Sequence, residues 1–441
     1  MTSLSRNREA IGVRHSLHRP SAMKSLAEDC TAHWHSACVH IAPMCRLLAC
    51  TITAALCGCS ASLCEPPRQV VTPSSSTERG TLQYGQFQFE ETSQSWVNQS
   101  LVARSDGSVV CVTCSGIFSI DGSFHQTASL EGASPSGVVV APDDSIYTMV
   151  PGRDRGTTDI VALSRSGATH WRSTLGTRFE RIGLAASNDS LYASAAPFDE
   201  TSQLQTTTLF AFDAATGAQR TVATGVQLIG PAHRGVITIA PHELSAAPTV
   251  QQIDPAGNVA WSHTIHVSNG TLPAIGGSLG ASDGGVIVFG TTIYNVDLGD
   301  LVIHIPAANI NRDNGFVVAF DATGATRWGF AVDSGGVTHV AATAQGELLV
   351  ASQRQVGGGL FSPQIDTYLA VATPAGVTRS LTIDGAGIQE ILGLAAAPDG
   401  AAWIQVLNAR SSDDDDELPP IAQIGDHGFP ELGVYLFKIV P

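Results

Sequence analysis

Apolar positions in this chain come in short runs, and polar turn residues interrupt them at close intervals. The clearest case is Gly315-Phe-Val-Val-Ala-Phe-Asp-Ala-Thr-Gly-Ala-Thr-Arg-Trp-Gly-Phe-Ala-Val-Asp333. It reads as strand, tight turn, strand, because an apolar run of strand length is followed by turn chemistry and then by alternation. The turn Asp321-Ala-Thr-Gly324 has a reason for its residues: the aspartate can bond the turn backbone, and glycine takes the left-handed position. Comparable strands are predicted at Ile160-Val-Ala-Leu163, Thr208-Leu-Phe-Ala-Phe212 and Tyr368-Leu-Ala-Val371. No long segment keeps a 3.6-residue apolar period, so short strands and turns are expected throughout.

The unit recurs. Turn glycines that precede a strand stand at Gly80, Gly122, Gly167, Gly217, Gly257, Gly324 and Gly376. Upstream of each strand pair a second hairpin is predicted, turning at Asp106-Gly107, Asp144-Ser145, Asp189-Ser190, Arg234-Gly235, Asp283-Gly284, Gln345-Gly346 and Asp399-Gly400. Four strands, A to D, in about 45 residues is the period of a β-propeller blade. The expected fold is all-β, a seven-bladed β-propeller over residues 80–441. The chain opens that domain with a D strand, Gly80–Phe89, and ends on a C strand, Val434–Val440. The N-terminal strand should therefore complete the last blade and remove its open edge. Trp171, Trp261 and Trp328 each follow a turn glycine by four residues and are predicted to pack between blades.

Asp283-Gly-Gly-Val-Ile-Val-Phe-Gly-Thr-Thr, the Gly315–Trp328 hairpin and Gly335-Gly336 together resemble the bacterial seven-bladed-propeller repeats (SBBP type) of exported proteins. The likeness is close over 278–355 and looser over the other blades. It implies fold and export, and no reaction. The tryptophans also resemble those of quinoprotein dehydrogenase repeats, but the adjacent cysteines and calcium cluster of those enzymes are not visible in the sequence, and no cofactor is expected.

Export has its own signature. Leu47 to Gly58 is an apolar run behind a short basic start, too short to span a bilayer and suited to a signal peptide. It ends in Leu56-Cys57-Gly58-Cys59, which resembles a bacterial lipobox and implies cleavage before Cys59 and a lipid thioether on its sulfur. Acyl chains, at roughly 0.8 kcal/mol per buried CH2, hold an otherwise soluble domain on a membrane. The expected organisation is a miscalled or disordered extension at 1–43, a lipoprotein signal at 44–58, a Ser/Pro-rich tether at 59–79 and the propeller after it.

Charge changes the picture of partners. Residues 1–58 carry +3 and the remainder −19, within a chain total of −16. So acidic a domain repels phosphate backbones, and nucleic acid is not an expected partner. The membrane, through the anchor, and an envelope protein or glycan are. Seven of the nine cysteines precede residue 65, so the domain is no disulfide-stapled scaffold. Cys111 and Cys114 are either free buried thiols or a local disulfide.

The long insertions, roughly 195–207, 291–314, 354–366 and 408–431, all fall between strands B and C. They are expected on one face, around the mouth of the central channel, making that the candidate ligand face. Its candidate residues are Asp297, Asp300, His304, Asp313, Asp413, Asp414, Asp426 and His427. The acidic run Ser411–Glu417 reads as a solvated loop. Asn309–Gly315 resembles a calcium loop but lacks the sixth-position glycine and the distal glutamate, so no metal site is expected. No catalytic residues are assigned, and neither a phosphate loop nor a G-x-S-x-G elbow is found. The reading is a lipid-anchored envelope propeller that binds or assembles protein or glycan. The alternative is a lyase or lactonase with acidic and histidine groups at the channel mouth.

Overall fold

The computed structural model describes the strands at 68–71 and 82–89. From 101 to 439 it describes all but 114–115, 121–123, 129–137, 198–206, 241–246, 307–308, 310–311, 360–361, 385–387, 410–421, 425–426, 430–432 and residues 153, 155, 178, 188, 270 and 399. All of these belong to one compact unit, Cys64–Pro441, and their regular structure is β-strand.

Consecutive strands fold back on one another into antiparallel sheets of four. Leu101–Ala103, Val109–Thr113, Gly116–Ile120 and Phe124–Ala128 form the first. Val138–Val140, Ile146–Pro151, Thr157–Leu163 and Thr169–Thr177 form the second. The third is Phe179–Ala186, Ser190–Pro197, Thr208–Asp213 and Gln219–Thr224; the fourth is Gln227–Pro231, Val236–Ala240, Thr249–Ile253 and Val259–Thr264. Ala274–Gly280, Val286–Thr292, Asn314–Phe320 and Thr326–Val332 make the fifth. Gly336–Ala342, Leu348–Gly359, Ser362–Thr373 and Gly376–Asp384 make the sixth. The last sheet starts with Ile388–Ala396, Ala402–Ala409 and Gly433–Ile439. It takes its outer strand from the N-terminal side, Leu82–Phe89, in register from Leu82↔Ile439 to Phe89↔Val434.

The first strand of each sheet touches the first strand of the next, and that of the last sheet touches that of the first. This closed circuit of up-and-down sheets is a β-propeller. Its core is divided the same way. One apolar cluster lies between each sheet and its successor, such as Tyr147, Leu175, Leu191 and Phe212 between the second and third. Another, with Leu101, Phe118, Trp403 and Leu436, joins the last sheet to the first. A sheet packed on both faces needs apolar residues at every position of its middle strands. Asn314–Phe320 is accordingly buried along its whole length, whereas the outer strand Val259–Thr264 buries only Trp261.

The turn glycines do more than turn. Gly324 has φ +89° and lies so close to the preceding sheet that a Cβ there would sit 2.5 Å from the Trp261 ring. Gly217, φ +70°, stands in the same relation to Trp171, at 2.6 Å. Trp171 donates its Nε1–H to the Ala214 carbonyl at 2.8 Å and stacks on Phe212, so turn and ring are locked together. Trp328 has no such glycine. It is half-buried, stacks on Phe330, and packs against the cluster between the fifth and sixth sheets.

Three expectations about the loops and tether change. Within the expected tether, Arg68–Val71 is a strand paired with Leu82–Phe89. The closing strand would otherwise leave its backbone groups as a free edge, and the β-branched pair Val70-Val71 suits a covering strand. The expected insertion at 354–366 is an extended hairpin, paired from Leu348↔Ala372 to Gly359↔Ser362. Pairing there satisfies backbone groups that a loop would leave to water.

The other two described insertions turn outward. Val296–Asp297 and Val302–Ile303 form a small sheet with His266–Val267, just beyond the outer strand of the fourth sheet. Ala422–Ile424 pairs with the outer strand of the sixth sheet through Ile383↔Ile424, and with His427–Phe429. The described parts of these insertions thus lie along the outer strands, Ile303 against Gly329 of its own sheet and Ile424 against Ile383 of the preceding one.

The close approach gives a test. Gly324→Ala forces the Trp261 ring aside and strains the backbone, and should cost about 2–4 kcal/mol. Gly346→Ala, at φ +80° with nothing within 4 Å, bears only the backbone term, about 1–2 kcal/mol. Urea unfolding of both variants checks the order; equal losses would mean the glycine–tryptophan contact contributes nothing.

Candidate functional site

The A–B turns and the C–D turns come together at one end of the molecule, where they are tied by charge. Arg165, in the C–D turn of the second sheet, donates to Asp144 of its own A–B turn at 3.0 Å and to Asp106 in the first sheet's A–B turn. Asp144 also accepts from the Ser105 amide at 3.0 Å and the Ser105 hydroxyl at 2.8 Å, so two of its three donors reach it across the sheet boundary. Asp106 accepts from the Ser108 hydroxyl and amide, which with Arg165 and Arg104 nearby keep its carboxyl below the usual range. Arg327 pairs with Asp283 in the same way within the fifth sheet.

Asp144 is exceptional in its backbone. Its φ is +65°, at the turn position occupied elsewhere by Gly107, Gly235, Gly284, Gly346 and Gly400, all with positive φ. Aspartate tolerates this region better than most side chains but not freely. The strain is held by the bonds to Ser105 and Arg165. An aspartate where five other repeats place glycine is visible in the sequence, and it was the one available signal for this cluster.

Beside it opens a cavity of about 410 Å³, lined by the ends of the inner strands of the first five sheets. Ser105, Asp144, Ser187 and His233 supply its polar groups, and Val140, Pro231 and Leu279 its apolar ones. A second recess of about 440 Å³ lies between the first and second sheets, lined by Arg104, Asp106, Ser108, Ser119 and the turn Ser164–Ser166.

The sequence-expected face is at the opposite end. Asp297 sits in the perimeter sheet and accepts from the Gly299 amide at 2.8 Å. Asp300, His304 and Asp313 are exposed. Val296, Leu298 and Ile303 of the same insertion are buried with Trp261 and Ile265, which fixes this segment on the outer flank. The Asn309–Gly315 loop is closed by Asn314, whose amide donates to the carbonyls of Asn309 and Arg312. Among the described residues no three His, Cys, Asp or Glu side chains converge on a metal position. Asp413, Asp414, Asp426, Cys59 and Cys114 lie outside the described residues, and of His427 only the strand backbone is described.

Cys111 and His339 stand apart from both recesses. Cys111 is a free thiol in the cluster between the last and first sheets, and burial pushes its pKa up to about 12. Such a thiol is a small apolar side chain, not a nucleophile. His339, on the inner strand of the sixth sheet, has its pKa pushed down to about 4 by burial, opposed by a hydrogen bond with the Leu392 backbone in the last sheet.

No family model matches the sequence, and no curated protein matches it. Solved structures do resemble it in outline. The crystal structure of the mitotic checkpoint complex contains a chain at 12% identity and TM-score 0.46, covering 86% of this chain and 97% of that one. The Dos1 propeller aligns at 10% identity and TM-score 0.42, over 80% of this chain and 94% of that one. The β-propeller domain of the Trilobed protease from Pyrococcus furiosus, described as having an open velcro topology, aligns at 10% and TM-score 0.39, over 68% and 85%. At these values the likenesses carry no argument about what the chain does.

Two measurements probe these groups. Asp144→Gly relieves the backbone but strands Arg165 and Ser105, and should lower stability by about 1–2 kcal/mol; a stabilised variant would show that strain outweighs the network. For His339, the unfolded chain takes up a proton near its ordinary value of 6.5 that the folded ring refuses until about 4. Stability should therefore decline as pH falls from 6.5 towards 4, by roughly 1–3 kcal/mol. His339→Gln should flatten that part of the stability–pH curve.

Proposed function

We propose that the chain is a seven-bladed propeller held at the bacterial cell envelope by a lipid on Cys59, where it serves as a binding scaffold for glycan or for a partner protein. The count of seven rests on the cyclic order of the inner strands and on the apolar cluster between the last sheet and the first. The anchor rests on Leu56-Cys57-Gly58-Cys59 behind the apolar run, and the kinship with exported propeller repeats on the Asp283–Gly336 motifs.

The observation that carries a binding role is the 410 Å³ mouth at the A–B end. Hydroxyls, a carboxylate and an imidazole alternate there with Val140, Pro231 and Leu279 on a rim assembled from several sheets. Alternating polar and apolar groups suit a sugar ring, which presents hydroxyls around its edge and C–H groups on its faces. The same rim accepts a polar loop of a protein. Its groups are held in place by backbone turns, so little side-chain freedom is lost on binding.

Metabolic labelling with an alkyne fatty acid tests the anchor. The wild-type chain should take up label and sediment with membranes, and Cys59→Ala should lose both; label retained by the variant, or absent from the wild type, refutes the anchor. The Cys59→Ala chain then tests the mouth on a glycan array. Ser187→Ala with His233→Ala should reduce any binding about tenfold or more. Unchanged binding would place the ligand elsewhere.

A further inference from the structure

Among the described residues Arg104 makes no ion pair. It is 7% exposed and follows directly on the inner strand of the first sheet. Its Nη2 donates to the Arg165 carbonyl at 3.0 Å, and its buried Nε donates to nothing. The two nearby carboxylates are committed elsewhere. Asp144 is bonded by Ser105 and Arg165, and Asp106 by Ser108 and Arg165. Among the described residues no carboxylate lies within ion-pair distance of Arg104. Burial, and next the neighbouring Arg165 charge, lower its pKa, against the more distant pull of Asp106 and Asp144, which raises it.

A guanidinium in this position is costly, because a buried charge outside direct contact with a carboxylate recovers only part of its desolvation penalty. Truncating it to a hydrocarbon would be the cheaper solution for a protein that needed only packing there. The surroundings instead suit a polar guest. The recess of about 440 Å³ is lined by the hydroxyl-bearing Ser108, Ser119, Ser164 and Ser166, by the Arg165 guanidinium, and by the Asp106 carboxylate, which Ser108 and Arg165 already bond. A guanidinium fork with free donors, facing hydroxyls, matches an oxyanion with two coplanar oxygens.

We propose that the recess between the first and second sheets is an oxyanion-binding site in which Arg104 pairs with the carboxylate or phosphate of a small ligand, and the serine hydroxyls orient it. The site is separate from the 410 Å³ cavity and independent of the membrane anchor, so the proposal stands or falls apart from the scaffold reading. Its ligand class is an acidic saccharide or a phosphate ester, which share the two-oxygen anionic group.

Titration of the Cys59→Ala chain with inorganic phosphate and with glucuronate, glucose serving as the neutral control, tests it by calorimetry and by thermal shift. Either anion should bind with a dissociation constant of about 1 mM or tighter, and glucose should not. Glucuronate alone would assign the carboxylate source, phosphate alone the phosphate source. Arg104→Gln should weaken binding about tenfold or more. Arg104→Met, which removes the unpaired charge, should melt no lower than the parent in anion-free buffer. If Arg104→Gln does not fold, Arg104→Lys keeps the charge and loses the Nε donor, and should show the same weakening. No binding of either anion, or binding equal in the parent and in a folded Arg104 variant, overturns the proposal.

Discussion

Neighbouring sheets meet through a layer of apolar side chains, and the last layer joins the last sheet to the first. Everything else in the molecule depends on that lateral contact. A four-stranded sheet of this size cannot bury its own faces, so each is stable only between two others. Closing the ring removes the two end faces that a linear stack would expose to water. This makes the outer strand supplied by Leu82–Phe89 important beyond its length, because it completes the one sheet that would otherwise lack an outer strand.

The lateral contact also explains the glycines. A C–D turn must approach the outer strand of the preceding sheet to complete the apolar layer there. At Gly217 and Gly324 the approach is to the face of a tryptophan, and no room for a Cβ remains. The tryptophan four residues after one turn glycine thus packs on the turn glycine of the next repeat, which couples two sequence features about one blade apart. Where the turn is a tight two-residue one, at Thr373↔Gly376, the glycine is in open space and Trp328 turns to Phe330 instead. The insertions follow the same economy of edges. The short strand at Ala422 pairs with the outer strand of the preceding sheet, and that at Val296 pairs with His266–Val267, just past the outer strand of the fourth.

The polar chemistry gathers where the turns of two adjacent sheets converge. Short A–B and C–D turns bring charged side chains from different repeats within hydrogen-bond reach, and the apolar layers beneath hold them there. The Arg165–Asp106–Asp144 set spans a sheet boundary in this way, and Arg104 is buried beneath it. A long loop on the opposite face offers more residues but less convergence, since its side chains are spread along the flank.

Strand runs, turn aspartates and repeated glycines are local signals, and they sufficed for the four-strand unit and for the pairing of the N-terminal strand with the C-terminal one. The burial of both faces of Asn314–Phe320 was legible too, as an unbroken apolar run. Asp297 and His304 were assigned to a channel mouth because loop length was the available guide, and length says nothing of direction. Whether an insertion turns inward or lies along an outer strand depends on which edge offers unpaired backbone groups, a property of two sheets together. The same limit hid Arg104. Its lack of an ion pair follows from Asp106 and Asp144 being occupied by other residues, 2, 21 and 59 positions away in the chain in the case of Ser108 and Arg165. Sequence alone determined the repeating unit, because its forces act between near neighbours; tertiary structure alone decided where charge is satisfied and where it is not, because that balance is struck between repeats.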